Sequence, residues 1–148
     1  MTVEIMALTR GDQARWMPLW RSYQSFYKVE IAEAVTAKTW SRMLEASEPV
    51  HGALAVLGGE AVGLVHWLFH RSTWSAADIC YLQDLFVAPE IRGQGAGGSL
   101  IAHVYEQAHA VGTAEVYWLT HETNGTAMKL YDRVAKRDGF VQYSKTLG

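Results

Sequence analysis

The fold of this chain turns on residues 79–101, ICYLQDLFVAPEIRGQGAGGSLI. Ile79 to Val87 are mostly apolar, with β-branched and aromatic members, and read as a strand. Pro89 lacks the N–H that would continue a ladder, and the chain then enters a run of glycines, Gly93, Gly95, Gly97 and Gly98. From about Gly95 to Val111, the apolar residues Leu100, Ile101, Val104, Tyr105, Ala108 and Val111 recur at helical spacing, and Gly112 stops the helix. The stretch AEVYWLT, residues 114–120, is a strand by composition. Strand, helix and strand in this order make one parallel crossover, since two parallel strands need a connection of about a dozen residues or more.

Working outward, TVEIMAL at residues 2–8 is a first strand, and Asp12 is placed to cap a helix in which Trp16, Trp20, Tyr23 and Tyr27 share a face. Pro18 must kink that helix or mark its true start. Thr36 can cap a second short helix with Trp40, Met43 and Leu44 on one side. VHGALAVL and EAVGLVHWLFH flank Gly58 and Gly59, a two-residue link suited to a primed hairpin turn. Asn124 caps a final helix through about Lys136, Gly139 stops it, and FVQYSKT at residues 140–146 closes as a last strand. The fold class is therefore α/β of the α+β kind. Its central sheet is mixed and mostly antiparallel, with one parallel strand-helix-strand crossover and flanking helices, in a single domain over residues 1–148.

The glycine run admits several readings. Gly93, Gly95 and Gly98 satisfy the dinucleotide pattern G-x-G-x-x-G, and Gly93, Gly98 and Ser99 approach a P-loop. The P-loop reading lacks the lysine that reaches the outer phosphates. The dinucleotide reading needs the loop to turn directly from the first strand of a βαβ unit, with an acidic residue about 20 positions on. Here Pro89 and its neighbours intervene, and Glu115 begins a strand. What remains is R-x-x-G-x-G, formed by Arg92, Gly95 and Gly97 between a strand and a helix, where free N–H groups and the helix dipole hold an anion. The alternative is a glycine-rich turn with no ligand.

Composition narrows the partners. A formal net charge of -2 with 19% charged residues argues against nucleic acid. Apolar segments such as AVGLVHWLFH at 61–70 fall short of the roughly 20 residues of a membrane span, so no membrane partner is expected. The amino terminus carries no secretory pattern, and cytoplasmic placement follows. The lone Cys80 cannot make an internal disulfide and sits in an apolar strand, where packing is its expected role. His66 and His70 share a strand face with no acidic or cysteine partner spaced with them, so no metal is expected.

LQDLFVAPEIRGQGAGGSLI, residues 82–101, resembles the acetyl-CoA signature of the GNAT superfamily of N-acetyltransferases: an apolar strand, a Val-x-Pro corner and Gln/Arg-x-x-Gly-x-Gly/Ala. VYWLTHETNGTAMKLYDRVAKRDGF, residues 116–140, is similar to the second half of that family. PLWRSYQSFYKVE, residues 18–30, resembles the subgroup with histone, polyamine and amino-acid acetyltransferases. The resemblance spans about Asp78 to Tyr143. It implies acetyl-CoA as co-substrate, with the pantetheine arm on the backbone of Leu85, Phe86 and Val87. The pyrophosphate would lie on Arg92, Gly93, Gln94, Gly95, Ala96 and Gly97. It further implies that Asn124 contacts the cofactor, that Tyr131 protonates the coenzyme A sulfur, and that the chain pairs as a homodimer.

Acetyl transfer to an amine needs a thioester held in place, an unprotonated amine, a donor for developing oxyanion charge and an acid for the leaving thiolate. Asn124 and Tyr131 are seven residues apart, on one face of the final helix; a core role for Tyr131 is the alternative. Polyamine enzymes of this shape carry Glu-Asp where this chain has Gln83-Asp84, and glutamine accepts no proton near neutral pH. Strict alternation puts Gln83 with Leu85 and Val87, and Asp84 with Leu82 and Phe86, unless a bulge re-aims one of them. Asp84 is the first choice of base, acting through water; a structural ion pair and deprotonation by solvent stay open. His121, and Glu30 with Glu33, are candidate acceptor contacts or simply solvated groups, and the rim of the Trp16–Tyr27 row is a candidate wall of the acceptor cleft. The expected activity is acetyl transfer to a primary amine of a small molecule or a peptide lysine by direct attack. The alternative is a silent acyl-CoA-binding module.

Overall fold

The computed structural model describes residues 2–148, and Met1 lies outside them. Five strands form one sheet in the order β1-β2-β3-β4-β5: β1 Glu4–Ala7, β2 Val50–Leu57, β3 Glu60–Ser72, β4 Ser75–Val87 and β5 Val116–Tyr117. The first four are antiparallel neighbours, and β4 pairs with β5 in parallel. Helices α1 Gln13–Phe26 and α2 Glu33–Leu44 precede β2, α3 Ala96–Ala110 makes the crossover from β4 to β5, and α4 Gly125–Val134 follows. The mixed sheet with one parallel crossover is the architecture expected from residues 79–120. Among the described residues no helix is long and apolar enough to cross a membrane.

Alternation along the strands divides the core into two layers. Ala53, Val65, Trp67, Cys80 and Leu82 bury one face of the sheet against Leu100, Ile101, Val104 and Ala108 of α3. Leu54, Leu64 and Phe86 bury the other against Trp16, Leu19 and Trp20 of α1 and Trp40 and Met43 of α2. Gly58 and Gly59, both at positive φ, close the β2–β3 hairpin as a primed turn requires.

Several local expectations are corrected. Pro18 lies inside α1, which starts at Gln13 after Asp12. The Asp12 carboxylate accepts from the Thr9 N–H and hydroxyl and from Arg15 instead of capping α1 itself. Thr36 does not cap α2; it is buried within the helix and accepts a hydrogen bond from the Trp20 indole at 3.1 Å. β4 begins at Ser75, four residues before Ile79, and α4 stops at Val134, ahead of Gly139. FVQYSKT forms no strand: Phe140, Val141 and Tyr143 are exposed, and the two-residue ladder of β5 offers little edge for such a segment to pair with.

Candidate functional site

The crossover opens the sheet. β4 meets β5 only at Cys80 and Tyr81, so the outer edge of Leu82 to Val87 runs on with no strand beside it among the described residues. A cleft of about 290 Å³ occupies the gap, walled by Leu82, Gln83 and Leu85 of β4, by Trp118 to His121 beyond β5, by Tyr131 of α4, by Tyr23 of α1 and by Tyr27 just past its end. Backbone groups along an unpaired strand edge are ready partners for an extended, amide-bearing chain.

That edge leads into the glycine loop. After β4 and a 3-10 turn at Pro89–Ile91, Gly93 and Gly95 take φ of 87° and 83°, and Gly95 forms the N-cap of α3. Such angles are strained for other L-residues, and both positions face open space. Gly97 has a different reason: a Cβ there would stand 3.2 Å from Leu130 Cδ2, so this glycine lets α4 lie close on α3. Part of the glycine content is therefore packing, which the expectation of an anion loop alone did not include. Among the described residues no N–H from Gly93 to Gly98 finds a protein acceptor. With the dipole of a 15-residue helix behind them, these groups form a cradle for an anion. The Arg92 guanidinium lies 4.9 Å over the Phe26 ring at the end of α1, which anchors the loop beside the cleft. Ala96, the first residue of α3, is buried, so only its backbone is offered.

Tyr131 forms the far wall. Its ring packs edge-on against Trp118 with centroids 5.4 Å apart, and burial, with Tyr27 nearby, pushes its hydroxyl up to about 12. It therefore stays protonated at neutral pH. Asn124 stands at the N-cap position of α4, yet its side chain does not cap the helix and instead donates to Thr120 Oγ1 at 3.3 Å.

On β4 the register shifts between His66 and Trp67, which pair with Asp84 and Leu82, leaving Gln83 as the extra residue of a β-bulge. The bulge overturns strict alternation. Leu82, Leu85 and Val87 turn to the α3 face, Asp84 and Phe86 turn to the α1/α2 face, and Gln83 is exposed on the cleft. Asp84 consequently meets His66, whose Nδ1 lies 2.9 Å from Oδ2, and Tyr23, whose hydroxyl donates to Oδ1 at 2.6 Å. The expectation that His66 has no acidic partner is thus corrected. On its other side His66 Nε2 accepts from the Trp16 indole N–H at 2.9 Å. Burial, followed by the adjacent Asp84 carboxylate, holds the Tyr23 hydroxyl far above the usual phenol range.

The remaining candidates lie elsewhere or in lesser roles. His121 is an exposed member of the cleft wall. Glu33 pairs with Arg21 at 3.6 Å, and neither it nor Glu30 lines the cleft. His70 bonds Tyr117 at 2.8 Å. Cys80 is fully buried, and that burial pushes its thiol up to about 12, so it presents no thiolate. Among the described residues no cluster of three or more His, Cys, Asp or Glu stands ready for a metal.

The chain is similar to known proteins in sequence and in fold. The family described as "Acetyltransferase (GNAT) family" matches residues 15–135. A D-amino-acid N-acetyltransferase, HPA3 of Saccharomyces cerevisiae, is 34% identical over 145 residues, which is 97% of this chain and 90% of that protein. A thialysine N-epsilon-acetyltransferase of Caenorhabditis elegans is 26% identical over 98% of this chain and 87% of its own length. Among solved structures, AAC(6')-Iy in complex with a bisubstrate analog superimposes with a TM-score of 0.87 at 16% identity, covering 100% of both chains.

Proposed function

From the premise that the chain belongs to the acetyltransferase (GNAT) family, we propose that it is a cytoplasmic, single-domain N-acetyltransferase that moves acetyl from acetyl-CoA to a primary amine. The observation that carries the reading is the parted edge of β4 running into the unpaired N–H groups at the head of α3. Leu85, Phe86 and Val87 offer backbone to the pantetheine amides, and the loop Arg92, Gly93, Gln94, Gly95, Ala96 and Gly97 offers its donors to the pyrophosphate. Asn124 and Tyr131 meet the cofactor from the α4 side. Acetyl-CoA supplies an activated thioester when bound. Tyr131 holds a proton for the departing sulfur, and Asp84 is the terminus for the proton the amine gives up. With Cys80 buried and its thiol protonated, no cysteine carries the acetyl group, which favours direct attack by the amine within a ternary complex.

The acceptor is an amine the size of an amino acid, free or as the side chain of a peptide lysine. The relatives named above are, by their names, acetyltransferases of D-amino acids and of thialysine, which supports an acceptor of this size. A panel of small primary amines with acetyl-CoA, read as free thiol release, is expected to show turnover well above the no-amine background. Release at background only, in a protein that still binds acetyl-CoA by calorimetry, would replace the enzyme with a silent acyl-CoA-binding module. We also propose a homodimer, on the exposed aromatic side chains Phe140 and Tyr143. Light scattering is expected to give twice the chain mass, and a monomer at every working concentration removes the proposal.

A further inference from the structure

Four side chains from three elements form one unbranched hydrogen-bonded line: Trp16 of α1, His66 of β3, Asp84 of β4 and Tyr23, again of α1. Its direction follows from donor chemistry. An indole N–H can only donate, so His66 Nε2 receives it as a lone pair and carries no proton. The ring proton then sits on Nδ1 and points at Asp84 Oδ2, 2.9 Å away. His66 is therefore a neutral donor, and Asp84 is held by two neutral groups. Among the described residues no Lys or Arg pairs with it. Trp16 is fully buried and His66 is 3% exposed, so this end of the line is closed to water. Of the four, Tyr23 alone lines the cleft.

We propose that the Tyr23 hydroxyl, backed by Asp84, is the group that takes the proton from the acceptor amine, and that His66, fixed in its Nδ1–H form by Trp16, is the residue that positions Asp84 for it. The proposal rests on the acetyl-transfer reading above. An N–H bond of the arriving ammonium breaks first: its proton goes to Tyr23 Oη, and the electron pair freed on nitrogen then forms the bond to the acetyl carbon. The proton already on Oη passes to Asp84 Oδ1; the electron pair of the C–S bond leaves with sulfur, which takes the Tyr131 proton, and the surplus proton on the new amide nitrogen passes to solvent, from which Tyr131 is reprotonated. Tyr23 is neutral before and after, which suits a phenol whose buried setting disfavours the anion. A carboxylate with neutral donors alone keeps its negative charge directed at the one exit from the line, where a cationic amine arrives. The other groups bearing on this centre are Tyr27 just past the end of α1 and Tyr81 of β4, with Arg92 beyond Tyr27.

The test uses Tyr23→Phe, which keeps the ring stacked on Trp20 at 5.0 Å and deletes only the hydroxyl. Turnover at neutral pH is expected to fall on the order of 100-fold with the acetyl-CoA Kd unchanged. The deficit should close as pH rises past the amine's own pKa, where the acceptor arrives already deprotonated. His66→Gln, whose amide can accept from Trp16 and donate to Asp84, is expected to keep most of the turnover and the wild-type pH profile, whereas His66→Phe reproduces the Tyr23→Phe profile. Nitrogen NMR of the wild type at pH 7 is expected to show His66 Nδ1 protonated and Nε2 bare. Full turnover in Tyr23→Phe, a deficit that persists at alkaline pH, or a His66 ring protonated on Nε2 would each overturn the relay. No turnover by the wild type with any amine would instead overturn the acetyl-transfer reading itself, and the relay with it.

Discussion

Tyr131→Phe is expected to lower kcat by on the order of 100-fold to 10,000-fold while the acetyl-CoA Kd stays where it was. The substitution keeps the ring and its edge-on contact with Trp118, and the lost hydroxyl has no protein hydrogen-bond partner among the described residues, so nothing buried is orphaned. In the proposed role, what disappears is one proton, needed only as the thiolate departs, and a group needed only then contributes to the transition state and not to binding. The pH dependence has a definite sign. Burial raises the Tyr131 hydroxyl to about 12, so the acid form persists through neutral and mildly alkaline pH, and the wild type should show no alkaline loss from this group until pH approaches that value. The deficit of the variant should therefore be constant across neutral pH, unlike that of Tyr23→Phe. Steady-state kinetics with calorimetric Kd values checks both points, and full turnover in the variant would return Tyr131 to a packing role against Trp118.

Gly95→Val is expected to weaken coenzyme A binding by more than about 100-fold, the loss that follows when two hydrogen bonds to a charged group, each contributing about 1.5–3 kcal/mol, are misdirected. Gly95 sits at φ 83° with open space around it, so a valine there meets no clash but cannot hold the left-handed backbone comfortably. The loop would relax, and its N–H groups would turn away from one another. Folding should drop by only about 1–2 kcal/mol, the cost of the strained angle, which a thermal melt separates from the binding effect. Gly95→Asn is the matched control, because asparagine tolerates the left-handed region and should retain most of the affinity. Wild-type affinity in the valine variant, measured by calorimetric titration, would remove the loop from the pyrophosphate.

The architecture was legible because its strongest signals are local. The primed turn at Gly58-Gly59, the helical spacing from Leu100 to Ala108 and the proline corner before Arg92 each involve residues near one another in sequence, and the structure keeps all three. The family resemblance added what the loop alone left open, the nature of the anion. The centre at Asp84 was only half legible. Asp84 stood out by its chemistry, but its pairing with His66 depends on the β3–β4 hairpin. There the register shifts between Ser72 and His70 and again between Trp67 and His66. Alternation counted from either strand cannot see those shifts, so His66 looked unpartnered and Leu82 was grouped with Asp84 and Phe86, from which the bulge separates it. Thr36 misled for a similar reason: its hydroxyl serves the Trp20 indole across two helices, a demand that a capping rule does not contain. The FVQYSKT segment alternates well enough for a strand, yet strand formation needs a neighbouring edge, and that is a property of the whole sheet.

The bulge at Gln83 separates two histories that a protein ordinarily has to reconcile. Most residues facing a cleft also belong to a packed layer, so a change that suits a new acceptor disturbs the core. Gln83 belongs to neither layer: it is the residue the ladder does not count, exposed on the cleft while Leu82 and Asp84 keep their places on opposite faces. A side chain at 83 therefore faces the cleft without filling either packed layer, so the wall of the cleft and the core are set by different residues of one strand.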